Sequence, residues 1–391
     1  MARVIVLGVG MVGRTMALDL ARRHEVIACD QSRDALARLQ QDVEAQGSVL
    51  PLRTTKLDAT DPAAVGAAVR GFDLAVIAVP GRLGFRTLRA VIDSGTPVVD
   101  ISFGPEDALE LDALACARGS CAIVDIGVAP GLDGVILGHY DKIWELSEFE
   151  CLVGGLPQEP ILPWRYKAPF SPADVIEEYV RPARQMEDGR VVIRPALSEP
   201  ELVDIPGIGT LEAFNTDGLR TILDTMSHIP NMREKTLRWP GHREVALALR
   251  EAGLLSEEPI AARDASGEPV EIVPREVTSR LLFEQWALKA GEPEFTAMRV
   301  TLRGIDRETG VHRQAVYELL DRTDPETGTS SMARATGYTC TAAAELILSG
   351  TFLTPGVHPG ERLGAVPGVL DWVLSYLDER GVRLRTSVSA G

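Results

Sequence analysis

The feature that most constrains this chain is the turn Gly8-Val-Gly-Met-Val-Gly13, set between the apolar run Arg3–Leu7 and a helical pattern over 11–23. Three glycines at that spacing permit a tight strand-to-helix turn, close approach of backbone to a diphosphate, and close helix–strand packing. The helix then begins with unpaired N–H groups and the positive end of its dipole facing the hollow. Context sharpens an otherwise common pattern. The next apolar run, Val26–Cys29, ends on Asp30, 17 residues beyond Gly13, where a carboxylate can accept from a ribose 2′-hydroxyl. The same carboxylate repels a 2′-phosphate, so NAD is expected over NADP, although Arg33 lies near. The expected cofactor contacts are Gly8, Gly10, Met11, Val12, Gly13 and Asp30, joined by Val79 and Pro80 in one loop and by Ser102 and Phe103 in another. Both loops follow apolar strands and fall on the carboxyl edge of the sheet, where ligands of open α/β sheets bind.

Further short apolar runs, Asp73–Val79, Pro97–Ile101 and Cys121–Ile126, alternate with helical patterns at 32–45, 83–94 and 106–118. Continuous apolar strands alternating with helices specify a parallel sheet covered on both faces. The fold class is therefore α/β, a Rossmann-type doubly wound parallel sheet over residues 1–126. Beyond about 145 the texture changes. EFECLVGGL, the Asp188-Gly189 turn inside RQMEDGRVVIRPAL, and the alternating runs on either side of Asp306–Gly310 read as hairpins. Helical patterns near 217–226, 240–253 and 275–290 interrupt them. This is an inserted α+β substrate domain with a mixed or antiparallel sheet, over 127–334. A small-residue helix at 333–349 and a last helix at 367–380 belong to a tail, 335–391, expected to complete the first domain.

Composition narrows the partners. The 391 residues hold 56 Asp+Glu against 40 Lys+Arg, a formal charge of −16, and no basic run suited to phosphate counterion displacement. A nucleic-acid partner is not expected. The five cysteines include no CxxC pair and the six histidines are scattered, so no metal site is expected. No apolar run reaches membrane-span length and no leader pattern opens the chain, which points to a cytoplasmic protein with no membrane partner.

A second glycine turn, Asp125-Ile-Gly-Val-Ala-Pro-Gly-Leu-Asp-Gly134, follows the last strand of the first domain and opens another helix. It can be a hinge, or it can line the interdomain cleft. Together with VGGLP (153–157), LEAFNTDGL (211–219), RWPGH (238–242), TGYT (336–339) and GVHPGERLG (356–364), it resembles the saccharopine dehydrogenase-like superfamily, and within it the L-lysine 6-dehydrogenases. The resemblance runs the length of the chain. It implies a Rossmann domain closed by the tail, homodimers or larger homo-oligomers, and NAD-linked oxidative deamination of the lysine ε-amine to 2-aminoadipate 6-semialdehyde. Trp164-Arg-Tyr-Lys-Ala-Pro-Phe-Ser171, carrying Lys167, is more similar to the saccharopine-forming branch, whereas Leu211–Asp217 sides with the lysine-deaminating one.

Oxidation of a primary amine requires a base for the ammonium proton, groups that position the amino acid, and a water for the iminium. His242 can shuttle a proton near neutrality or pack under Trp239. Lys167 can act as a desolvated base or hold a carboxylate. Asp125 and Asp133 can face substrate ammonium groups, and Asp133 can equally cap its turn. Asn215, Thr216 and Asp217 are expected at the substrate or as helix caps. Arg220 can clamp a carboxylate. Phe214 and Phe170 would wall an aliphatic chain. A saccharopine or related opine-type dehydrogenase would demand further cations, for which Arg165, Arg181 and Arg184 are available. A dinucleotide-binding regulatory protein without catalysis is the alternative of another class.

Overall fold

The computed structural model describes residues 1–45, 50–170, 172–289 and 291–390, so Ser171, the end of the Lys167 motif, lies outside them. Its first sheet comprises β1 (Arg3–Leu7), β2 (Glu25–Asp30), β3 (Leu52–Lys56), β4 (Leu74–Ile77), β5 (Val98–Asp100) and β6 (Cys121–Val124). The second sheet holds β7 (Trp144–Pro157), β8 (Ala183–Glu187), β9 (Arg190–Arg194), β10 (Glu201–Ile205), β11 (Gly209–Asn215) and β12 (Asn231–Arg238). A separate hairpin, β13 (Ile260–Arg263) and β14 (Pro269–Ile272), precedes β15 (Glu294–Asp306) and β16 (His312–Arg322). The tail supplies β17 (Gly356–Pro359) and β18 (Leu384–Ala390).

The first sheet runs β17-β6-β5-β4-β1-β2-β3, with every pairing parallel. Strands β1, β4 and β6 are buried on both faces, which is why they read as unbroken apolar runs. The order reverses between β1 and β4, and the glycine turn leaves the carboxyl end of β1 at that switch point. β17 adds a seventh strand beside β6, and the helix Ser331–Leu348, rich in small residues, is buried along nearly its whole length.

The second sheet follows the path β10-β11-β12-β7-β15-β16-β18, with the β8–β9 hairpin attached to β12. β12 and β7 run parallel and the other neighbours are antiparallel, so the sheet is mixed. Two sequence expectations differ here. EFECLVGGL is not a hairpin but part of the single 14-residue strand β7, because both of its edges are paired, to β12 and to β15. The tail does not return wholly to the first domain: β18 pairs with β16 in the second sheet. Among the described residues no helix is long and apolar enough to cross a membrane, no group could hold a metal ion, and all five cysteines are free thiols.

Candidate active site

A cleft of about 560 Å³ runs from the carboxyl edge of the parallel sheet to the face of the mixed sheet. That volume lies within the range of small-ligand sites. At one end the glycine turn forms its floor. Gly8 has φ +94°, and a Cβ there would fall 2.4 Å from the Ala78 carbonyl oxygen; a Cβ on Gly13 would fall 2.0 Å from that of Gly8. These two glycines serve the packing of the turn. Gly10 does not: its φ is −63° and, its own chain neighbours aside, no atom of the described residues lies within 4 Å of where its Cβ would stand. Its missing side chain leaves an open floor in front of the helix Met11–Leu20, which has no side-chain cap and no acidic residue in its first turn. Free N–H groups behind an open floor fit the diphosphate of a dinucleotide.

Asp30 stands at the rim with Gln31, Leu57 and Ala59. Its Oδ2 accepts from Val9 N–H at 2.9 Å and its Oδ1 from Ser32 N–H at 2.8 Å, which fixes the carboxylate against the turn. Arg33 is exposed and does not line the cleft. The middle is bounded by Val79, Pro80, Ser102 and Phe103 and by Asp125 and Gly127 to Pro130 of the second glycine turn.

The far end is built by two elements. The helix Pro172–Val180 turns Asp174, Glu177 and Glu178 toward the cleft, with Arg181 just beyond it. The spacing i, i+3, i+4, i+7 puts them on one helical face. Strand β12 contributes Glu234, Thr236 and Arg238, alternate residues on one sheet face, while Lys235 points away to the Glu199 carbonyl and Glu201. Arg238 is 1% exposed; it donates to Glu178 at 2.7 Å and to the Tyr179 hydroxyl at 3.2 Å, and lies over the Tyr166 ring. Burial raises Glu178 above the ordinary carboxyl range, with Arg238 opposing the rise. Burial drives Glu234 well above it, and the neighbouring Glu178, Asp133 and Asp217 push the same way.

Family comparison agrees with this geometry. The model for the saccharopine dehydrogenase C-terminal domain matches residues 127–382, and that for the saccharopine dehydrogenase NADP binding domain matches 4–123. The chain belongs to the saccharopine dehydrogenase family. The L-glutamate-forming, NADP(+) saccharopine dehydrogenase of Schizosaccharomyces pombe is 24% identical, with 99% of each chain covered. The mouse mitochondrial alpha-aminoadipic semialdehyde synthase is 25% identical over 68% of this chain and 30% of its own. The solved apo saccharopine dehydrogenase (L-Glu forming) of Saccharomyces cerevisiae shares the fold across 100% of both chains, at TM-score 0.76 and 21% identity.

Within this saccharopine dehydrogenase-family cleft, the residues named from sequence divide cleanly. Gly8, Gly10, Met11, Val12, Gly13, Asp30, Val79, Pro80, Ser102 and Phe103 all line it, as do Asp125, Thr216, Asp217 and Phe170. Asp125 has φ 50° and accepts from Arg220 Nε at 2.9 Å. Asp217 takes Arg184 in a two-point pair at 2.9 and 3.0 Å.

Others lie elsewhere. His242 is fully buried behind Arg238; its Nδ1–H donates to the Trp164 carbonyl at 2.7 Å and its Nε2 accepts from Tyr179 at 2.8 Å. Burial, then Arg238, pushes its pKa down to about 3, so it is a neutral core imidazole, not a base at the cleft. Lys167 does not reach the cleft either, because it points to the Ala287 carbonyl at 3.4 Å and Glu292 at 3.8 Å. Asp133 is 1% exposed and accepts from Gly131 N–H, capping the second turn. Phe214 packs with Tyr166, Tyr179 and Trp286 in a core cluster. Asn215 is enclosed by Gln185, Ser198 and Glu199. Arg220 cannot clamp a substrate carboxylate while it holds Asp125 and the Gly104 carbonyl, over the Phe103 ring.

Proposed function

We propose that this chain is an NAD-dependent dehydrogenase of an amino-acid amine, oxidising the ε-carbon of L-lysine to 2-aminoadipate 6-semialdehyde with release of ammonia. The observation that carries the reading is the charge of the far end of the cleft. There the carboxyl groups of Asp174, Glu177, Glu178, Asp217 and Glu234 line the cleft against Arg181 and Arg238; Arg238 holds Glu178, Arg184 holds Asp217 and Arg275 holds Glu177, while Glu234 has the Thr216 hydroxyl as its partner. Such a wall receives ammonium groups. A substrate bearing saccharopine's extra dicarboxylate would meet more repulsion than attraction there. The fixed Asp30 carboxylate, with no cation lining the same rim among the described residues, supports NAD over NADP.

A bound nicotinamide supplies the hydride acceptor. The protein's part is to hold the amine and to exclude bulk water. Asp125, fixed by Arg220 in the middle of the cleft, is placed to hold the proton that an ammonium must give up before oxidation. Phe170, Met332 and the backbone from Gly127 to Pro130 form apolar walls beside it.

A second reading, oxidation of saccharopine itself, is supported by the end-to-end match to the fission yeast enzyme. One screen decides between them. The purified protein is given NAD or NADP with L-lysine or saccharopine at pH 8–10, and absorbance at 340 nm and ammonia are followed. NADH and ammonia from lysine are expected. Turnover of saccharopine alone, or of NADP in preference to NAD, overturns the proposal, and cofactor binding with no turnover supports a regulatory protein.

A further inference from the structure

Glu234 is only 5% exposed, yet it lines the substrate end of the cleft from the middle of β12. Its seat is built. Thr216 Oγ1 donates to its Oε2 at 2.9 Å, and Thr216 is in turn hydrogen-bonded to Thr236 Oγ1 at 2.9 Å. Gly218 makes the space: a Cβ there would lie 2.3 Å from both the carboxyl carbon and Oε2 of Glu234. The run Thr216-Asp-Gly218 therefore shapes itself around this carboxyl group. The charged groups bearing on it come from three elements, Glu178 from the helix Pro172–Val180, Asp217 from the loop after β11, and Asp133 from the helix Leu132–Ile143. The thiol of Cys151 on β7 also feels it. All three carboxyl neighbours share its sign, and Arg238, four residues along the strand, is committed to Glu178.

A buried carboxyl group, seated by a hydroxyl pair and surrounded by other carboxyls, lacks one thing that would make its ionised form favourable, namely a cation delivered into the cleft. We infer that Glu234 is the specificity-determining acceptor for the substrate's unreacting α-ammonium group and that it releases its own proton when that group binds. The inference rests on the amine reading above. The step balances: the neutral carboxylic acid and the incoming ammonium become a carboxylate–ammonium ion pair, and one proton passes to solvent. Because burial holds the proton on the free protein's Glu234 above the ordinary range, amine affinity rises with pH until that group ionises without ligand, and then levels off.

The test uses the full-length protein, Glu234→Gln and Gly218→Ala, with L-lysine titrated calorimetrically in two buffers of different ionisation enthalpy. NADH binding, read by fluorescence, reports that each variant is folded. Wild type is expected to release protons on binding lysine, more of them the lower the pH. Glu234→Gln, which keeps the Thr216 hydrogen bond, is expected to release none, to bind lysine about ten- to a hundredfold more weakly, and to lose the pH dependence. Gly218→Ala, which displaces the carboxyl, should shift lysine affinity the same way. Wild-type lysine affinity and proton release in Glu234→Gln overturn the role of Glu234 alone. A wild-type protein that binds no lysine, yet binds NADH, overturns the amine reading and this inference with it.

Discussion

Replacing Gly10 with alanine separates cofactor binding from folding. The backbone at Gly10 is extended, at φ −63° and ψ −163°, and, its own chain neighbours aside, no atom of the described residues lies within 4 Å of the new methyl group. Restricting the unfolded chain alone stabilises such a replacement by roughly 0.4–1 kcal/mol. The melting temperature should therefore equal that of the wild type or exceed it slightly. The methyl group nevertheless stands on the floor between the turn and the free N–H groups of the helix Met11–Leu20. Losing one charge-assisted hydrogen bond to a diphosphate costs about 1.5–3 kcal/mol, which is about 10- to 150-fold in Kd. Gly13→Ala is the contrasting variant. Its Cβ would stand 2.0 Å from the Gly8 carbonyl and 3.1 Å from the Ala78 side chain, an overpacking worth about 1–3 kcal/mol of stability. Thermal unfolding and titration of NADH fluorescence, both without substrate, give the two readouts. If Gly10→Ala binds NADH as wild type does, the diphosphate does not lie over Gly10; if it unfolds as early as Gly13→Ala, the space above Gly10 is not open.

Two further variants probe the wall of the cleft and the core behind it. Arg238→Met should destabilise the protein by about 1.5–3 kcal/mol, because it removes the charge-assisted hydrogen bond to the half-buried carboxyl of Glu178; adding Glu178→Gln should restore part of that loss in urea unfolding, and an additive double mutant would dismiss the pair as a unit. His242→Gln should be less stable than wild type above pH 6.5, with the gap narrowing on acidification. The imidazole ionises near 6.5 when unfolded but only near 3 when folded, so wild type loses up to roughly 1.4 kcal/mol per pH unit across that window. Asp100 and Asp133, raised to about 7 by burial, work in the opposite sense, stabilising the fold below the unfolded carboxyl range and losing that contribution as pH rises through 7. They are present in both proteins and cancel. A gap that stays constant from pH 7.5 to 4.5 would refute the neutral assignment of His242.

The nucleotide end was legible in the sequence because steric requirements there are local. A glycine forced by the Ala78 carbonyl at position 8, and another by the Gly8 carbonyl at position 13, leave their mark in consecutive residues. β3 left no such mark. It is the outer strand, Leu52–Lys56, with alternate or outward polar residues and little burial, so its sequence LRTTK carries no apolar run. The substrate end was only partly legible. His242 and Lys167 are chemically able side chains in unusual sequence surroundings, but ability does not fix direction. The histidine faces Tyr179 and Trp164, and the lysine faces Glu292.

The residues that do form the far wall carried a periodic signal. Asp174, Glu177, Glu178 and Arg181 repeat at helical spacing, and Glu234, Thr236 and Arg238 at strand spacing, each set on one face. Taken singly, a charged helix face is a solvated face and a polar strand residue is an edge. What separates them from those readings is a pairing no local pattern holds: Glu178 of the helix meets Arg238 of the strand 60 positions later. That contact turns two ordinary amphipathic stripes toward each other and makes a wall. The same logic explains Gly218. Nothing in NTDG asks for glycine as a turn residue more than many loops do, and its φ is not in the left-handed region. It is required by Glu234, a residue on β12. Where a glycine answers to a distant carboxyl rather than to its own backbone, its meaning becomes visible only once the chain has folded.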